Sequence, residues 1–579
     1  MQFFIDMGTQ PMTKEPGISF LPASFTFTSW ADLEPYFNDL LRRPLDSTQA
    51  LQRWIIDKSQ LDAVLSEGFA WRYIHVTRDS NDETAAEAYS TFVQEISPQV
   101  ASLENDLNLR LVSNPYYDGL SNDTFHIFKR KINNSVDLFS PDNVNLQKEI
   151  QLQSKEFGRI LSQMTIGMDG QQLTLQKASA LLEETDRGIR QKVYHKINQR
   201  LLQDTEELED LFDSLLKKRH NIAINAGFDN YRDYAFSSLE RFDYTPDDCY
   251  AFHDSIATEI LPILNSIYLE RKNSLGLSHL RPYDLNIDTK GRDVLRPFKT
   301  TDDLVQQTIQ CLDNIDPLFV QVIEEMQKLG HLDLDSRKGK RPGGYNMPLH
   351  VTGVPYIFMN ANNSLSDLRT FLHESGHAVH AYLTKDLPLA TSRQFPSEIS
   401  ELAAMTMELL GMNYWDQIFE GEDLQRAELF QMEMVIKVLP WIATIDKFQH
   451  WLYTNPGHSR AERRQEWLKI LKEFTPEVLD YSGLEDYLAN LWLKQLHLFE
   501  VPFYYIEYGF AQLGAIAIWQ NYHENPEQTV EQYTQALKLG YTRSVTDIYE
   551  AAGIRFDFRK SYIARLGKFI EQKIQNLVH

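Results

Sequence analysis

The stretch Leu372–His380, LHESGHAVH, constrains this chain most, because it places two histidines four residues apart in a segment of helical character. On a helix, residues i and i+4 share a face, so His373 and His377 can reach one metal ion together. Glu374 lies one residue round the helix, where it can act on a water at the metal without being a ligand. Chance produces such a pattern in roughly a few chains in a hundred of this length, so the rest of the chain must supply its context.

The segment that follows offers a third metal ligand. Hydrolytic zinc sites usually take three protein ligands and keep one position for water. A helix predicted to begin near Ser397 carries Glu398, Glu401 and Glu408. Glu401 and Glu408 are seven residues apart and therefore share a face, so one is predicted to bind the metal and the other to hydrogen-bond a histidine. Spacing alone does not decide which of Glu398, Glu401 and Glu408 is the third ligand.

Two further residues of the histidine segment carry information. Gly376 costs about 1 kcal/mol relative to alanine inside a helix, which predicts that another part of the chain approaches its backbone closely. His380 follows His377 by three residues on a neighbouring face. We interpret His380 as a packed or hydrogen-bonding side chain and not as a ligand.

A tyrosine-rich segment is the second feature with chemical potential. Pro502–Gly509, PFYYIEYG, follows His497 closely. Tyrosines three and four residues apart pack well in an aromatic core helix. In a zinc peptidase, however, a hydroxyl or imidazole beside the metal can donate a hydrogen bond to the oxyanion of the tetrahedral intermediate.

Hydrophobic periodicity predicts a mainly helical chain without internal repeats. Helices are predicted over the following approximate ranges: 30–110 (several helices), 143–163, 181–226, 246–274, 301–330, 423–448, 460–474, 483–499 and most of 504–579.

The predicted β-structure is sparse. Residues 165–175 read as a hairpin around an Asp-Gly turn, and residues 275–300 as an irregular connection with one short strand. The segment 354–360, VPYIFMN, is the best strand candidate of the second half. It is either a strand packed in the core or an edge strand that pairs with an extended peptide.

Composition excludes several classes of function. With 81 acidic and 57 basic residues the formal net charge is -24, which is opposite to that of a phosphate-backbone binder. No stretch approaches eighteen consecutive apolar residues, and residues 1–17 do not resemble a signal peptide. The two cysteines, Cys249 and Cys311, do not suggest a disulfide scaffold. We therefore expect a soluble, cytoplasmic protein that binds neither nucleic acid nor membrane.

Taken together, the motifs are specific enough to indicate a protein family. HESGHAVH followed by the Glu401/Glu408 pair resembles the thimet oligopeptidase / oligoendopeptidase F family of zinc metallopeptidases. GKRPGGY, PYIFMN and FEVPFYYIEYGFAQLGA are also similar to the family pattern and occur in the expected order over about residues 200–520. Ser375 replaces an aromatic residue that is commoner in the family, and LFEVP replaces a glycine-richer stretch between the histidine and the tyrosines.

The resemblance implies a mainly α, two-lobed helical metallopeptidase with a small β-sheet beside the active-site helix and a deep substrate channel. We divide the chain into an N-terminal helical region, 1–200, and a catalytic region, 201–579. Such a channel would admit short unfolded peptides and exclude folded proteins. The quaternary state stays open between a monomer and a small homo-oligomer.

The resemblance also implies the roles of the site residues. One zinc ion per chain would be held by His373, His377 and Glu401, with Glu374 as the general base. Tyr508 is the first choice for the donor to the oxyanion, with His497 and Tyr505 next.

Two other functions remain possible at this point. A zinc metallocarboxypeptidase of similar helical build would need a cation for the C-terminal carboxylate, and the loop around Lys338 and Arg341 offers one, although such a loop can also be a solvated turn. A non-catalytic peptide-binding or zinc-binding helical protein would bind metal without hydrolysis. The presence of Glu374 beside both histidines argues against it.

Overall fold

The computed structural model describes residues 20–22 and 25–578, without the side chains of residues 122 and 123. The prediction about residues 1–17 therefore lies outside the described residues, as does the start of the predicted region 1–200. None of the described helices is both long and apolar enough to cross a membrane.

The N-terminal part of the described chain is helical. Its helices are α1 (Trp30–Arg42), α2 (Thr48–Arg78), α3 (Glu83–Thr91), α4 (Ser97–Val112), α5 (Asn122–Leu138) and α6 (Pro141–Ser162). A hairpin of β1 (Thr165–Met168) and β2 (Gln171–Thr174) follows and turns at Asp169 and Gly170, both of which have positive φ. Positive φ at both turn residues is the geometry of a two-residue hairpin, so the predicted hairpin is confirmed.

Helices then continue up to a small sheet. They are α7 (Leu175–Ala180), α8 (Arg187–Gln203), α9 (Thr205–Asn225), α10 (Tyr231–Ser238), α11 (Pro246–Ser255), α12 (Leu261–Ser274), α13 (Thr301–Asp313) and α14 (Pro317–Leu329). The strand predicted within residues 275–300 is wrong. Leu280 forms only an isolated bridge to Leu479, and the stretch is otherwise held by side-chain bonds such as those of Arg190 to Tyr283 and Asp284.

The small sheet precedes the histidine segment. It contains β3 (Leu332–Asp335), β4 (Tyr345–Met347) and β5 (Tyr356–Ala361), in the order β3-β5-β4. Strand β5 is parallel to β3, antiparallel to β4 and largely buried. The edge-strand interpretation of 354–360 is therefore wrong, because both sides of β5 are already paired, and the core-strand interpretation is right.

The remaining described chain is helical. It contains α15 (Leu365–Thr384), α16 (Ser397–Met412), α17 (Gly421–Thr454), α18 (Arg460–Glu473), α19 (Glu485–Ala489), α20 (Leu496–Glu500), α21 (Tyr505–Glu524), α22 (Pro526–Lys538), α23 (Val545–Ala551) and α24 (Lys560–Val578). The helical stretch predicted over 483–499 is present, but it is divided into the short helices α19 and α20 with a 3₁₀ turn between them. The Asn490 side chain donates to the Asp486 carbonyl in place of a helical backbone N–H, and the chain breaks into short turns.

Helix α17 is the longest of the described helices, with 34 residues, and it runs through the larger core. Pro440 lies in its interior, where it lacks the N–H that a continuous helix would use. The Thr444 hydroxyl donates to the Pro440 carbonyl at 2.7 Å. Such a proline is a common cause of a bend in a long helix.

Two large apolar cores account for the two-lobed, mainly α architecture. One lies among α1–α5, and the larger one lies among the helices that follow. A smaller cluster joins the N-terminal lobe to the sheet through Ala70 and Ile74 of α2 and Tyr356 and Phe358 of β5. Phe157 of α6 already belongs to the larger core, and a domain boundary at residue 200 stays a prediction.

Helices α15 and α16 pack against each other at a very short distance. A Cβ atom on Gly376 would lie 2.6 Å from the Ala403 carbonyl oxygen and 2.7 Å from the Ala404 Cα. Both contacts are with backbone, which cannot rotate away. The close approach predicted from Gly376 is confirmed, and it brings the histidine face of α15 against the acidic face of α16.

Replacing Gly376 with Ala should therefore push the two helices apart and lower the free energy of unfolding by about 1–3 kcal/mol. Gly158→Ala is the matched control, because Gly158 lies inside α6 and a methyl group added to it would meet no atom within 4 Å. That variant should gain up to about 1 kcal/mol from reduced chain entropy. Urea unfolding of both variants measures the difference. Equal stabilities would contradict a tight α15–α16 contact.

Candidate metal centre and active site

Local capping fixes where the histidine helix begins. Ser364 is the N-cap of α15, and the Asp367 backbone N–H donates to its hydroxyl while the Asp367 carboxylate accepts from the Ser364 backbone N–H. These two bonds form a capping box. It sets the register in which His373, Glu374 and His377 face α16.

Three predicted ligands come together at this contact. One ligand atom from each of His373, His377 and Glu401 lies within 4.8 Å of the other two. Glu401 Oε2 is 3.5 Å from His373 Nε2 and 4.0 Å from His377 Nε2. The two imidazole rings stand almost perpendicular, so their Nε2 atoms converge on the same carboxylate oxygen.

The other nitrogen of each histidine is already bonded. His373 Nδ1 lies 2.7 Å from Glu408 Oε1, and His377 Nδ1 lies 3.1 Å from the Ser400 hydroxyl. With Nδ1 carrying the proton, each ring donates to its partner and presents a lone pair at Nε2. Glu408 thus has the histidine-bonding role foreseen for one of the two acids, whereas Ser400 was not anticipated.

The remaining acids of α16 have other partners. Glu408 Oε2 accepts from the Gln431 side chain at 3.0 Å and lies 3.7 Å from Arg369 Nε. Glu398 accepts from the Tyr244 hydroxyl at 2.7 Å. The geometry thus groups Glu401, and not Glu398, with the two histidines.

Unpaired acceptors show that this cluster fits a cation. Glu401 Oε2 and Glu374 Oε2 are buried and have no hydrogen-bond partner within the part of the chain that the structure describes. A buried carboxylate oxygen left unpaired costs free energy comparable to a lost charged hydrogen bond. Two imidazole nitrogens and one carboxylate are a donor set that suits zinc, so the residues fit the metal implied by the sequence.

The electrostatics of the cluster follow from burial and from its acids. Burial raises the pKa of the Glu374 carboxyl to about 7 and also raises that of Glu401. Burial opposes the charged form of His373, yet the bond and charge of Glu408 raise its pKa to about 9. Burial likewise opposes ionisation of Glu408, but Arg369 and His373 hold its pKa below the ordinary value. Metal binding at His373 therefore competes with a proton.

The tyrosine segment lies against the same cluster. The Tyr504 hydroxyl donates to Glu401 Oε1 at 3.1 Å. The Tyr508 ring lies 5.3 Å from that of Tyr504, and burial and the charge of Glu401 raise the pKa of Tyr508. Sequence reasoning did not single out Tyr504, because the tyrosines of this segment look alike in sequence. Only the turn before α21 gives the Tyr504 hydroxyl a different position from its neighbours.

The other two predicted residues of this segment form a group with Tyr508. The His497 ring lies 4.6 Å from that of Tyr505 and 5.9 Å from that of Tyr508. Gln495 bonds His497 Nδ1 at 2.7 Å, and burial lowers the pKa of His497 to about 4, which favours its neutral form. Burial raises the pKa of Tyr505 to about 12. Both groups are therefore neutral donors near pH 7.

Two residues of the histidine helix are packed and not directed at the cluster. His380 is fully buried and stacks on Phe395 with ring centroids 3.6 Å apart, as its interpretation as a packed residue requires. Ser375 is fully buried and donates to the Phe371 carbonyl at 2.6 Å. A small residue at position 375 therefore leaves the ligands undisturbed.

Comparison with known proteins gives the relationships of the chain. Residues 180–568 match the family described as Peptidase family M3, and residues 20–139 match the Peptidase M3 N-terminal domain. An oligoendopeptidase F homolog of Borreliella burgdorferi is 23% identical over 393 residues, which are 66% of this chain and 64% of that protein. Oligopeptidase PepF of Bacillus subtilis is 22% identical over 377 residues, 64% of this chain and 55% of that protein. The alignments thus cover less than two thirds of these relatives.

Solved structures share the fold over nearly the whole chain. PZ peptidase A with inhibitor 2 superposes with a TM-score of 0.87 at 24% identity, covering 96% of this chain and 99% of that one. A putative oligoendopeptidase F from Bacillus anthracis gives a TM-score of 0.84 at 22% identity and covers 95% and 97% of the two chains. The two-lobed helical architecture is therefore a shared one.

Replacing Glu408 with Gln should lower zinc affinity about 10–100-fold, because His373 loses the anionic acceptor that orients its ring. Competition with a chelator of known affinity measures the change. Glu433→Gln is the control, because that carboxylate bonds Arg271 on another part of the surface and its loss should leave the affinity unchanged. Equal affinities in the two variants would contradict the role given to Glu408.

Proposed function

This chain belongs to peptidase family M3, and we propose that it is a zinc-dependent oligoendopeptidase that cleaves internal bonds of short unfolded peptides. The observation that carries the proposal is the convergence of His373, His377 and Glu401 beside the unpaired carboxylate of Glu374. That arrangement combines a metal-binding set with a base that the metal does not need as a ligand.

The protein groups have separate roles in this proposal. His373, His377 and Glu401 would hold zinc, which when bound would supply Lewis acidity and activate water at neutral pH. Glu374 accepts the proton of the attacking water and delivers it to the nitrogen of the leaving amine. Its Oε2 atom is buried and free of hydrogen bonds, so it can take a proton without first breaking a bond.

The tyrosine segment supplies donors for the oxyanion of the tetrahedral intermediate. We keep Tyr508 as first choice, with His497 and Tyr505 beside it. Tyr504 is engaged with Glu401, which supports a role in orienting that ligand. A donor preorganised toward the oxyanion contributes about 3–4 kcal/mol to lowering the barrier in comparable sites.

The sheet offers a place for an extended substrate. In the described part of the chain, β4 is the antiparallel edge strand of its sheet. The Asn346 side chain of β4 lies 3.5 Å from the Glu374 carbonyl oxygen, so this edge runs beside the base. A peptide that added a strand to β4 would present its backbone to the site whatever its side chains, which suits an enzyme for varied short peptides.

Several cations of the loop that the carboxypeptidase alternative would need are bonded within the protein, although Lys338 is exposed. Lys340 Nζ bonds Asp333 Oδ1 at 2.9 Å and the Met359 carbonyl at 2.6 Å, and Arg337 also bonds Asp333. The Arg341 guanidinium donates to the Tyr73 hydroxyl. These side chains fasten the loop to the sheet and to α2, which supports cleavage of internal bonds over capture of a free carboxylate. A cytoplasmic location and the quaternary state stay predictions.

Replacing Glu374 with Gln should lower kcat/KM by about 10²–10⁴-fold, because the amide cannot accept the proton of the attacking water. Zinc content should not change, since Glu374 is not among the ligands. Wild type and variant are incubated with a mixture of peptides blocked at both ends and of graded length, with and without chelator, and the products are identified by mass spectrometry.

The expected products are fragments from internal cuts in the shorter peptides, lost on chelation and in the variant. Undiminished activity of Glu374→Gln would refute the proposed base. Inertness of every blocked peptide, with removal of residues from free C-termini, would instead establish the carboxypeptidase.

Single Tyr→Phe changes at positions 504, 505 and 508 separate the roles in the tyrosine segment. Removal of the oxyanion donor should lower kcat about 10²–10³-fold at nearly constant KM and zinc affinity, and we expect this for Tyr508. Tyr504→Phe should instead weaken zinc binding, because Glu401 loses a hydrogen bond. Steady-state kinetics and chelator competition distinguish the three variants. A drop in kcat confined to Tyr504→Phe would transfer the donor role to Tyr504.

A further inference from the structure

A second group of metal-binding side chains lies inside the larger core. Cys249 and His253 are four residues apart on α11, and Asp446 and His450 are four residues apart on α17. Each pair therefore shares one helix face, and α11 packs against α17. All four side chains are buried, with at most 1% of any of the residues exposed.

The four groups approach one another closely. One ligand atom from each of Cys249, Asp446 and His450 lies within 4.8 Å of the other two. His253 Nε2 is 2.9 Å from Asp446 Oδ2, and His450 Nε2 is 3.2 Å from the same oxygen. In the described part of the chain, only this trio and the trio of the active site meet that separation.

Some buried polar atoms of this cluster lack a hydrogen-bond partner in the described part of the chain. His450 Nδ1 and Asp446 Oδ1 are buried without a hydrogen-bond partner among the described residues, while His450 Nε2 is near enough to Asp446 Oδ2 to interact with its charge. A buried polar atom without a partner costs about 1–3 kcal/mol, and more where the group is charged. Aromatic rings surround the histidine, among them Tyr250 at 4.9 Å and Phe503 at 5.5 Å, so the fold supplies no polar replacement there.

We propose that Cys249, Asp446 and His450 bind a second zinc ion, a structural one, and that His253 positions Asp446 by a hydrogen bond. Thiolate, imidazole and carboxylate are all zinc ligands, and sulfur excludes magnesium and calcium as natural occupants. A tetrahedral zinc keeps its ligand atoms roughly 3.3–3.8 Å apart, so these ligand atoms, now within 4.8 Å of one another, would draw closer around the ion.

Charge balance supports a divalent ion at this position. On binding, the Cys249 thiol releases its proton to solvent, and the thiolate and the Asp446 carboxylate together neutralise the two positive charges. A neutral buried cluster avoids the cost of an isolated buried ion. Arg241, a cation that acts on Cys249, donates a hydrogen bond to Glu507 at 2.9 Å.

The proposed metal site would stabilise the part of α17 that contacts the start of the tyrosine segment. The Gln449 side chain, between the two ligands on α17, accepts from the Phe503 backbone N–H at 2.5 Å, and the His450 ring packs on Phe503. Phe503 has a φ of 69°, a strained conformation for a residue with a side chain, and it directly precedes Tyr504. An ion joining α11 to α17 would help to hold Phe503 in that conformation, because it would fix the segment of α17 that contacts Phe503.

Metal content and the cobalt spectrum test the proposal. The purified full-length chain should contain about two zinc ions, of which a short chelator treatment removes only one, because a fully buried site exchanges slowly. Chain produced in cobalt-supplemented, zinc-poor medium should show a thiolate-to-cobalt charge-transfer band in the near ultraviolet. The active-site cluster contains no sulfur and cannot produce that band.

The two cysteines provide a matched pair of variants. Cys249→Ser should lose the charge-transfer band and one metal equivalent, while Cys311→Ser, a buried cysteine on α13 whose thiol lies 3.7 Å from the Tyr414 carbonyl, should keep both. The double variant His373→Ala/His377→Ala should keep one metal and the band, which separates this site from the catalytic one.

One zinc per wild-type chain without a cobalt–thiolate band would overturn the proposal, as would a band that survives Cys249→Ser. Wild type and the double histidine variant give these answers even if Cys249→Ser fails to fold. Failure of peptide hydrolysis with the buried metal present would refute the proposed function and leave this inference standing.

Discussion

The contact between α15 and α16 at Gly376 is the constraint on which the site depends. Backbone meets backbone there, because a hydrogen replaces the side chain that would otherwise separate the helices. His373 and His377 thereby come within 3.5 and 4.0 Å of Glu401. A site built from two rigid helices needs no loop to hold its ligands, so its geometry is as stable as the packing beneath it.

The buried acids of α16 differ in role because they differ in partners. Glu408 is tied to Gln431, Arg369 and His373, so it stays charged and orients a ring. Among the described residues, Glu401 accepts a hydrogen bond from the Tyr504 hydroxyl at Oε1, and its Oε2 atom has no hydrogen-bond partner. The same residue type, seven positions away on one helix, therefore acts in one case as a support and in the other as a candidate ligand.

Periodicity and spacing were sufficient for the histidine helix, the close contact at Gly376 and the pairing of one acid of α16 with a histidine, since all of these are properties of one helix or of two neighbouring ones. They were insufficient for Tyr504, Ser400 and the breaks in 483–499, which depend on which side chains meet after folding. The Cys249/His253 and Asp446/His450 pairs had a detectable i,i+4 signal, but their convergence depends on α11 meeting α17 across nearly 200 residues of sequence.

Pro440 divides α17 into two halves that contact different parts of the site. Gln431, before Pro440, holds the acid that orients His373, and Asp446 and Gln449, after it, hold His253 and the turn before Tyr504. The two halves of α17, on either side of Pro440, therefore each support a different part of the site. Because both halves of the helix are bonded to parts of the site, we expect the histidine cluster and the tyrosine segment to lose their order on warming in a single cooperative event.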